Sequence, residues 1–277
     1  MKQLTKLSSV AIGLFAIVLF SSCSSHSKKD SDTDDSVLTE IKKDQIAENV
    51  KEFVYPLPTA FEVSEMLNRI GASFIFSLSN PAENVSKYFT EKSKALNLGI
   101  MGADLSYATT YKQKQIAMDY MKATNKLIDE LGFASAIDSD LPEKIEMVEN
   151  DKDQMVKLIT KTFYDTYEYL NKNGRGSVSV MIVAGSWIEA LYISTHISED
   201  TYNNVEMIKI IMEQRESLNK LMGLINDHKS FSDVDSLGIT LKPLHEVFNS
   251  LEDGGITQQQ MEAISTEVAK VRAEMVK

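Results

Sequence analysis

From Val178 to Ile197 the chain is apolar on every side of any helix it could form, and Glu189 is its only acid. A stretch with no polar stripe has no face to give to water, so the rest of the molecule must be wrapped around it. A buried carboxylate inside such a stretch is costly unless a donor, a cation or water meets it. This segment therefore sets the first demand on the fold. It calls for a central element with partners on all sides, at least one of them polar.

Two local structures can satisfy that demand. One is a buried helix over about 178–197. The other is a buried strand from Ser177 to Gly185 followed by a turn and a helix, as in nucleotide-binding α/β units. The helix is favoured, because no series of comparable strands exists to pair with such a strand. In addition, Gly174-x-Gly176 precedes the run instead of separating strand from helix.

The remaining segments read as helices. Residues 38–52 carry a thin seam of Leu38, Ile41, Ile46 and Val50, and the prolines of Tyr55-Pro56-Leu57-Pro58 then break the chain. Phe61, Met66, Ile70 and Phe74 mark a helix after Thr59, and another is expected near 82–96 beyond Asn80-Pro81. Ile116, Tyr120, Thr124, Leu127 and Leu131 recur at helical spacing and stop before Gly132, a C-terminal cap. A long stripe over 142–172 ends at Asn173-Gly174, and a further one covers 201–227. Thr257-x-x-Gln260 is a capping-box signature that opens a last helix, with Ile264, Val268, Val271 and Met275 on one face. The fold class is all-α, a multi-helix bundle.

Two stretches of this bundle look alike. Asp104–Tyr111 reads DLSYATTY and Glu189–His196 reads EALYISTH, 85 residues later. Asn125-Lys126-Leu127 recurs as Asn219-Lys220-Leu221, at an offset of 94, which places about nine extra residues near 197–204. The pattern predicts two tandem three-helix units, about 95–174 and 178–255, related by internal duplication, with the 256–277 helix added. On a helix, Asp104, Tyr107 and Tyr111 share one face, as do Glu189, Tyr192 and His196. Those six are the candidate ligand-binding residues. If the faces meet around a polar pocket, the carboxylates could hold a cation, an amine or a sugar hydroxyl. If they do not, each carboxylate ties its helix to a neighbour through Tyr, Thr, Lys or Arg. Trp187, the sole tryptophan, is assigned to the core.

The N-terminus addresses the chain. Lys2 and Lys6 precede an apolar run from Val10 to Phe20, then Ser21, Ser22 and the only cysteine, Cys23. The run is about half the length of a stable bilayer-spanning helix and reads as an export signal over residues 1–22. Phe20-Ser21-Ser22-Cys23 resembles the lipobox of bacterial lipoproteins, with Phe where Leu is commoner. The resemblance implies cleavage before Cys23, diacylglycerol on its thiol and an acylated amine. A permanent N-terminal anchor with an incidental cysteine is the alternative. No later segment is expected to form a second span. Residues 23–36 lack any apolar residue after Cys23 and read as a flexible tether that includes His26. Their Lys28-Lys29 pair followed by acids loosely resembles the export signals of surface lipoproteins in Bacteroidota. The expected location is the cell envelope, lipid-anchored, at the outer membrane.

Residues 37–277 form one domain in this reading. The chain carries 29 Lys and Arg against 40 acids, and losing Lys2 and Lys6 leaves 27 against 40, a net charge of −13. Such a surface repels phosphate backbones, which argues against nucleic acid as a partner. With no cysteine but Cys23, no internal disulfide can form. No cofactor and no metal site is expected: His196, His228 and His245 lack ligand spacing, and the latter two are assigned to the surface. Ala184-Gly185-Ser186-Trp187 lacks the second glycine of a nucleophile elbow. The expectation is a non-enzymatic helical module that binds or scaffolds a protein partner in the envelope. A small-ligand receptor built on Asp104 and Glu189 and, further back, a hydrolase using the same two carboxylates are the alternatives.

Overall fold

A computed structural model describes residues 60–137, 140–148, 151–198, 201–252 and 255–277. The export signal, Cys23, the tether and the 38–52 helix lie outside the described residues. Those that are described form an all-α fold without strands, whose helices fall within one compact unit. They are α1 (Ala60–Arg69), α2 (Glu91–Thr110), α3 (Lys114–Leu131), α4 (Leu141–Met147), α5 (Lys152–Lys172), α6 (Gly176–His196), α7 (Val205–Asp227), α8 (Ser232–Asn249) and α9 (Gln258–Met275).

The apolar run is a continuous helix, α6, and not a strand. Helices α1, α2, α5, α7, α8 and α9 all pack on it, and α2 does so most extensively. By length and composition α6 would also pass as a membrane span, contrary to the expectation that no later segment could. Its residues are instead enclosed by the other helices, with 89% of the span-like window buried.

Helix α2 corrects the expected boundaries. Residues 82–87 form a 3₁₀ turn, and the helix starts after Thr90, whose side chain and that of Ser93 make a capping box. It then continues through Gly99 and Gly102 to Thr110. The single stripe expected over 142–172 is divided into α4 and α5, with Asp151 capping the second through its hydrogen bond from Gln154 N. Asn204 likewise starts α7 at Val205, later than 201. Gly132 ends α3 in the left-handed conformation (φ 76°), where a glycine carries no Cβ penalty.

Glycines bring α2 and α6 into backbone contact. A Cβ on Gly99 would lie 2.0 Å from the Ile182 carbonyl oxygen, and one on Gly185 would lie 2.0 Å from that of Leu96. Each glycine thus sits against the carbonyl three residues before the other, a local two-fold relation. Asp104 and Glu189 meet further along both helices, so the pair runs in the same direction through the crossing.

Candidate functional site

Asp104 and Glu189 are both fully buried, and their carboxyl groups hydrogen-bond to each other. Two carboxylates cannot do so without a proton between them. Burial, and then the charge of Glu189, push the Asp104 carboxyl well above the usual carboxylate range. Asp104 Oδ2 accepts from the Asn80 backbone N–H at 3.1 Å. Oδ1 has no hydrogen-bond partner among the described residues. Burial also pushes Glu189 up, and a guanidinium beside it offsets only part of that rise.

That guanidinium belongs to Arg272 on α9. Its Nε donates to Glu189 Oε2 at 2.5 Å and its Nη2 to Oε1 at 2.7 Å, a bidentate pair. Nη2 also donates to the Leu78 carbonyl at 2.9 Å. Burial works against the Arg272 charge, but Glu189 more than offsets it and holds the group firmly protonated. The guanidinium lies 4.2 Å from the centre of the Tyr192 ring, in cation–π contact. Tyr192 in turn stacks on His196, with centroids 4.2 Å apart. His196 Nδ1 lies 2.9 Å from the Tyr192 carbonyl, which requires a proton on that nitrogen, so Nε2 accepts from Ser265 of α9 at 3.2 Å. Burial, and Arg272 behind it, lower the imidazole pKa.

The Asp104 side of the network is made of neutral groups. Asn80 Nδ2 donates to Tyr88 Oη at 2.9 Å and to Asn97 Oδ1 at 3.3 Å. The Tyr120 hydroxyl donates to the Asn80 carbonyl at 2.9 Å, and Asn97 Nδ2 reaches the Met275 carbonyl at 2.7 Å. Tyr107 and Tyr111 turn away from this cluster. Tyr107 Oη accepts from Ile75 N at 2.9 Å, and both rings pack on Phe74 and on each other. Of the six candidates, then, Asp104 and Glu189 meet, Tyr192 and His196 continue from Glu189 through Arg272, and Tyr107 and Tyr111 form a separate aromatic cluster. The slot that a bound cation would fill beside Glu189 holds the chain's own Arg272.

Sequence reasoning missed Arg272, Asn80, Asn97, Tyr88 and Tyr120. Arg272 did leave a signal: it borders the Ile264, Val268, Val271 and Met275 stripe, next to Val271. That stripe is itself buried. Trp187 is core, and its indole N–H donates to Gln214 Oε1 at 3.0 Å. His228 and His245 are partly exposed and hydrogen-bonded to the Leu224 carbonyl and to Asn219 Oδ1. Among the described residues no cluster of His, Cys, Asp and Glu is arranged to hold a metal ion.

The opposite faces of α2 and α6 line an open space. A cavity of about 460 Å³ lies between α2, α3, α5 and α6, with α4 and the turn at Ala134–Ala136 at its edge. Leu98 and Gly102 of α2, Leu170 of α5, and Ile182 and Val183 of α6 give it apolar walls. Gly102 is notable because a Cβ there would meet nothing within 4 Å. A mid-helix glycine costs about 1 kcal/mol relative to alanine. At Gly99 close packing accounts for that cost; at Gly102 no neighbour does, and the bare backbone enlarges the cavity. No family model matches the chain, and neither the curated proteins nor the solved structures contain a match to it.

Proposed function

We propose that the chain is a lipid-anchored module of the cell envelope, held at the outer membrane through Cys23, whose helical body binds a small molecule in the α2–α3–α5–α6 cavity. The observation that carries the reading is the contrast between an open apolar cavity of about 460 Å³ and a polar cluster already closed by Arg272. The cavity volume lies within the roughly 300–1,000 Å³ of small-molecule sites. Asp104 and Glu189 then serve packing: they fix α2, α6 and α9 to one another. A carboxylate-based hydrolase is poorly served by two carboxyls in direct hydrogen-bond contact, since a retaining pair needs about 5–5.5 Å with the sugar between. A protein partner would need a contiguous apolar face. The α9 stripe, which could have supplied such a face, is buried.

Two measurements test the two parts. Intact mass of the membrane-extracted protein should show a chain beginning at Cys23 with added acyl mass; a full-length chain with a free thiol defeats the anchor. Titration with the neutral apolar fluorophore 1-aminoanthracene should give saturable, one-to-one binding with a blue-shifted emission. Absence of saturable binding defeats the ligand reading.

A further inference from the structure

The walls of the cavity restrict what it accepts. The hydroxyls of Ser106, Thr124, Thr162, Thr166 and Ser179 line it, and each donates to a carbonyl of its own helix at 2.8–3.0 Å. Their protons are therefore turned into the helices, and the threonines among them add methyl groups to the wall. Among the described lining residues none is Lys, Arg or His, and Asp129 is the one acid. Asp129 is exposed at the rim, one helical turn after Asn125, which is exposed there as well. The deep end, where Leu170, Ile182 and Val183 lie, is buried and apolar.

We propose that the cavity takes a free single-chain aliphatic amphiphile, its tail against Leu98, Gly102, Leu170 and Ile182 and a hydrogen-bond-donating head, uncharged or cationic, at Asn125 and Asp129. This rests on the ligand-binding reading above and adds the class of ligand. The volume is near the lower end of the range for small-molecule sites, which fits one chain better than two. An anionic head finds no cation among the described lining residues and is repelled by the Asp129 charge at the mouth.

The test is competition against bound 1-aminoanthracene on the full chain, using C12 probes below their micellar concentrations. Dodecan-1-ol and dodecylamine should displace the fluorophore, and dodecanoate should do so about tenfold more weakly or worse. Phosphatidylcholine vesicles, a two-chain source, should not displace it. Gly102→Leu grows a side chain into open space and should abolish binding while Tm stays at or above that of the parent. Asp129→Lys, an exposed change that leaves the walls intact, should reverse the preference toward dodecanoate. Equal displacement by dodecanoate and dodecan-1-ol, displacement by vesicles alone, or unchanged binding in Gly102→Leu overturns the proposal. Fluorophore binding that no C12 probe competes for overturns the ligand class alone; no fluorophore binding at all overturns the ligand reading with it.

Discussion

Helices α2 and α6 carry their carboxyl groups at matching positions, three residues before a tyrosine, and the two groups touch, yet their chemistry is opposite. Asp104 faces an N–H from Asn80 and a set of neutral amides and phenols, so the proton is its cheapest companion. Glu189 faces Arg272 and is held as the anion of a bidentate pair. The tyrosines diverge with them: Tyr107 accepts from a backbone N–H, while Tyr192 lies under the guanidinium. The lesson is that matched residues at matched spacing share geometry, not protonation state. Charge is decided by what a third element, here α9, brings to one side and not to the other.

The sharpest way to break this asymmetry is Glu189→Gln. It leaves the Arg272 cation, whose side chain is 13% exposed, without its counter-charge. Losing one partner of a buried pair costs about 3–5 kcal/mol, measurable as a lowered urea midpoint. Adding Arg272→Met should recover most of the loss; no recovery would show that the pair is not the unit assigned here.

A smaller effect tests the local symmetry of the crossing. Gly99→Ala and Gly185→Ala each place a Cβ 2.0 Å from a carbonyl oxygen of the facing helix. Both should cost about 1–3 kcal/mol, by similar amounts, because the contacts are reciprocal. Strongly unequal losses in thermal unfolding would mean that the two-fold relation is geometric only.

Asp104→Asn should be the mildest, and its sign depends on pH. The folded Asp104 carboxyl keeps its proton where the unfolded one, near pH 4, releases it. Its stabilising contribution is therefore complete below about pH 4 and is lost as pH rises toward the folded value. Asparagine keeps an acceptor for Asn80 N–H and offers a permanent donor to Glu189. The variant should match the parent near pH 4 and exceed it at pH 7 by up to about 1 kcal/mol, read from denaturant unfolding at both values. A variant less stable at pH 7 than the parent would place the shared proton elsewhere.

Local chemistry made the helix ends legible. The Thr257–Gln260 capping box forms as its sequence implies, with Thr257 N donating to Gln260 Oε1 at 3.0 Å, and Gly132 closes α3. The lack of partner strands favoured a helix over 178–197, and that run is helical in α6. What spacing did not record is the extent of α2: a helix expected near 82–96 begins only after Thr90 and continues through Gly99, whose backbone packs against α6. At the candidate site the two carboxylates were identifiable because an acid in an apolar run demands a partner. The partner was not, because spacing reports which residues share a face and says nothing about which distant face arrives opposite. Arg272 lies 83 positions from Glu189, and the cavity between α2 and α5 is a property of four helices that no single one records.

The bonds that α9 makes also set an order of events. Arg272 reaches Leu78 across 194 positions, Met275 accepts from Asn97 across 178, and Glu189 is paired across 83. Closing loops of that span is entropically slow and delays formation of such contacts relative to local ones. Until α9 docks, α6 has an acid facing outward from an otherwise apolar surface, and that acid stays hydrated. The last helix in the chain therefore supplies the cation that makes the Glu189 carboxylate of α6 tolerable inside the core.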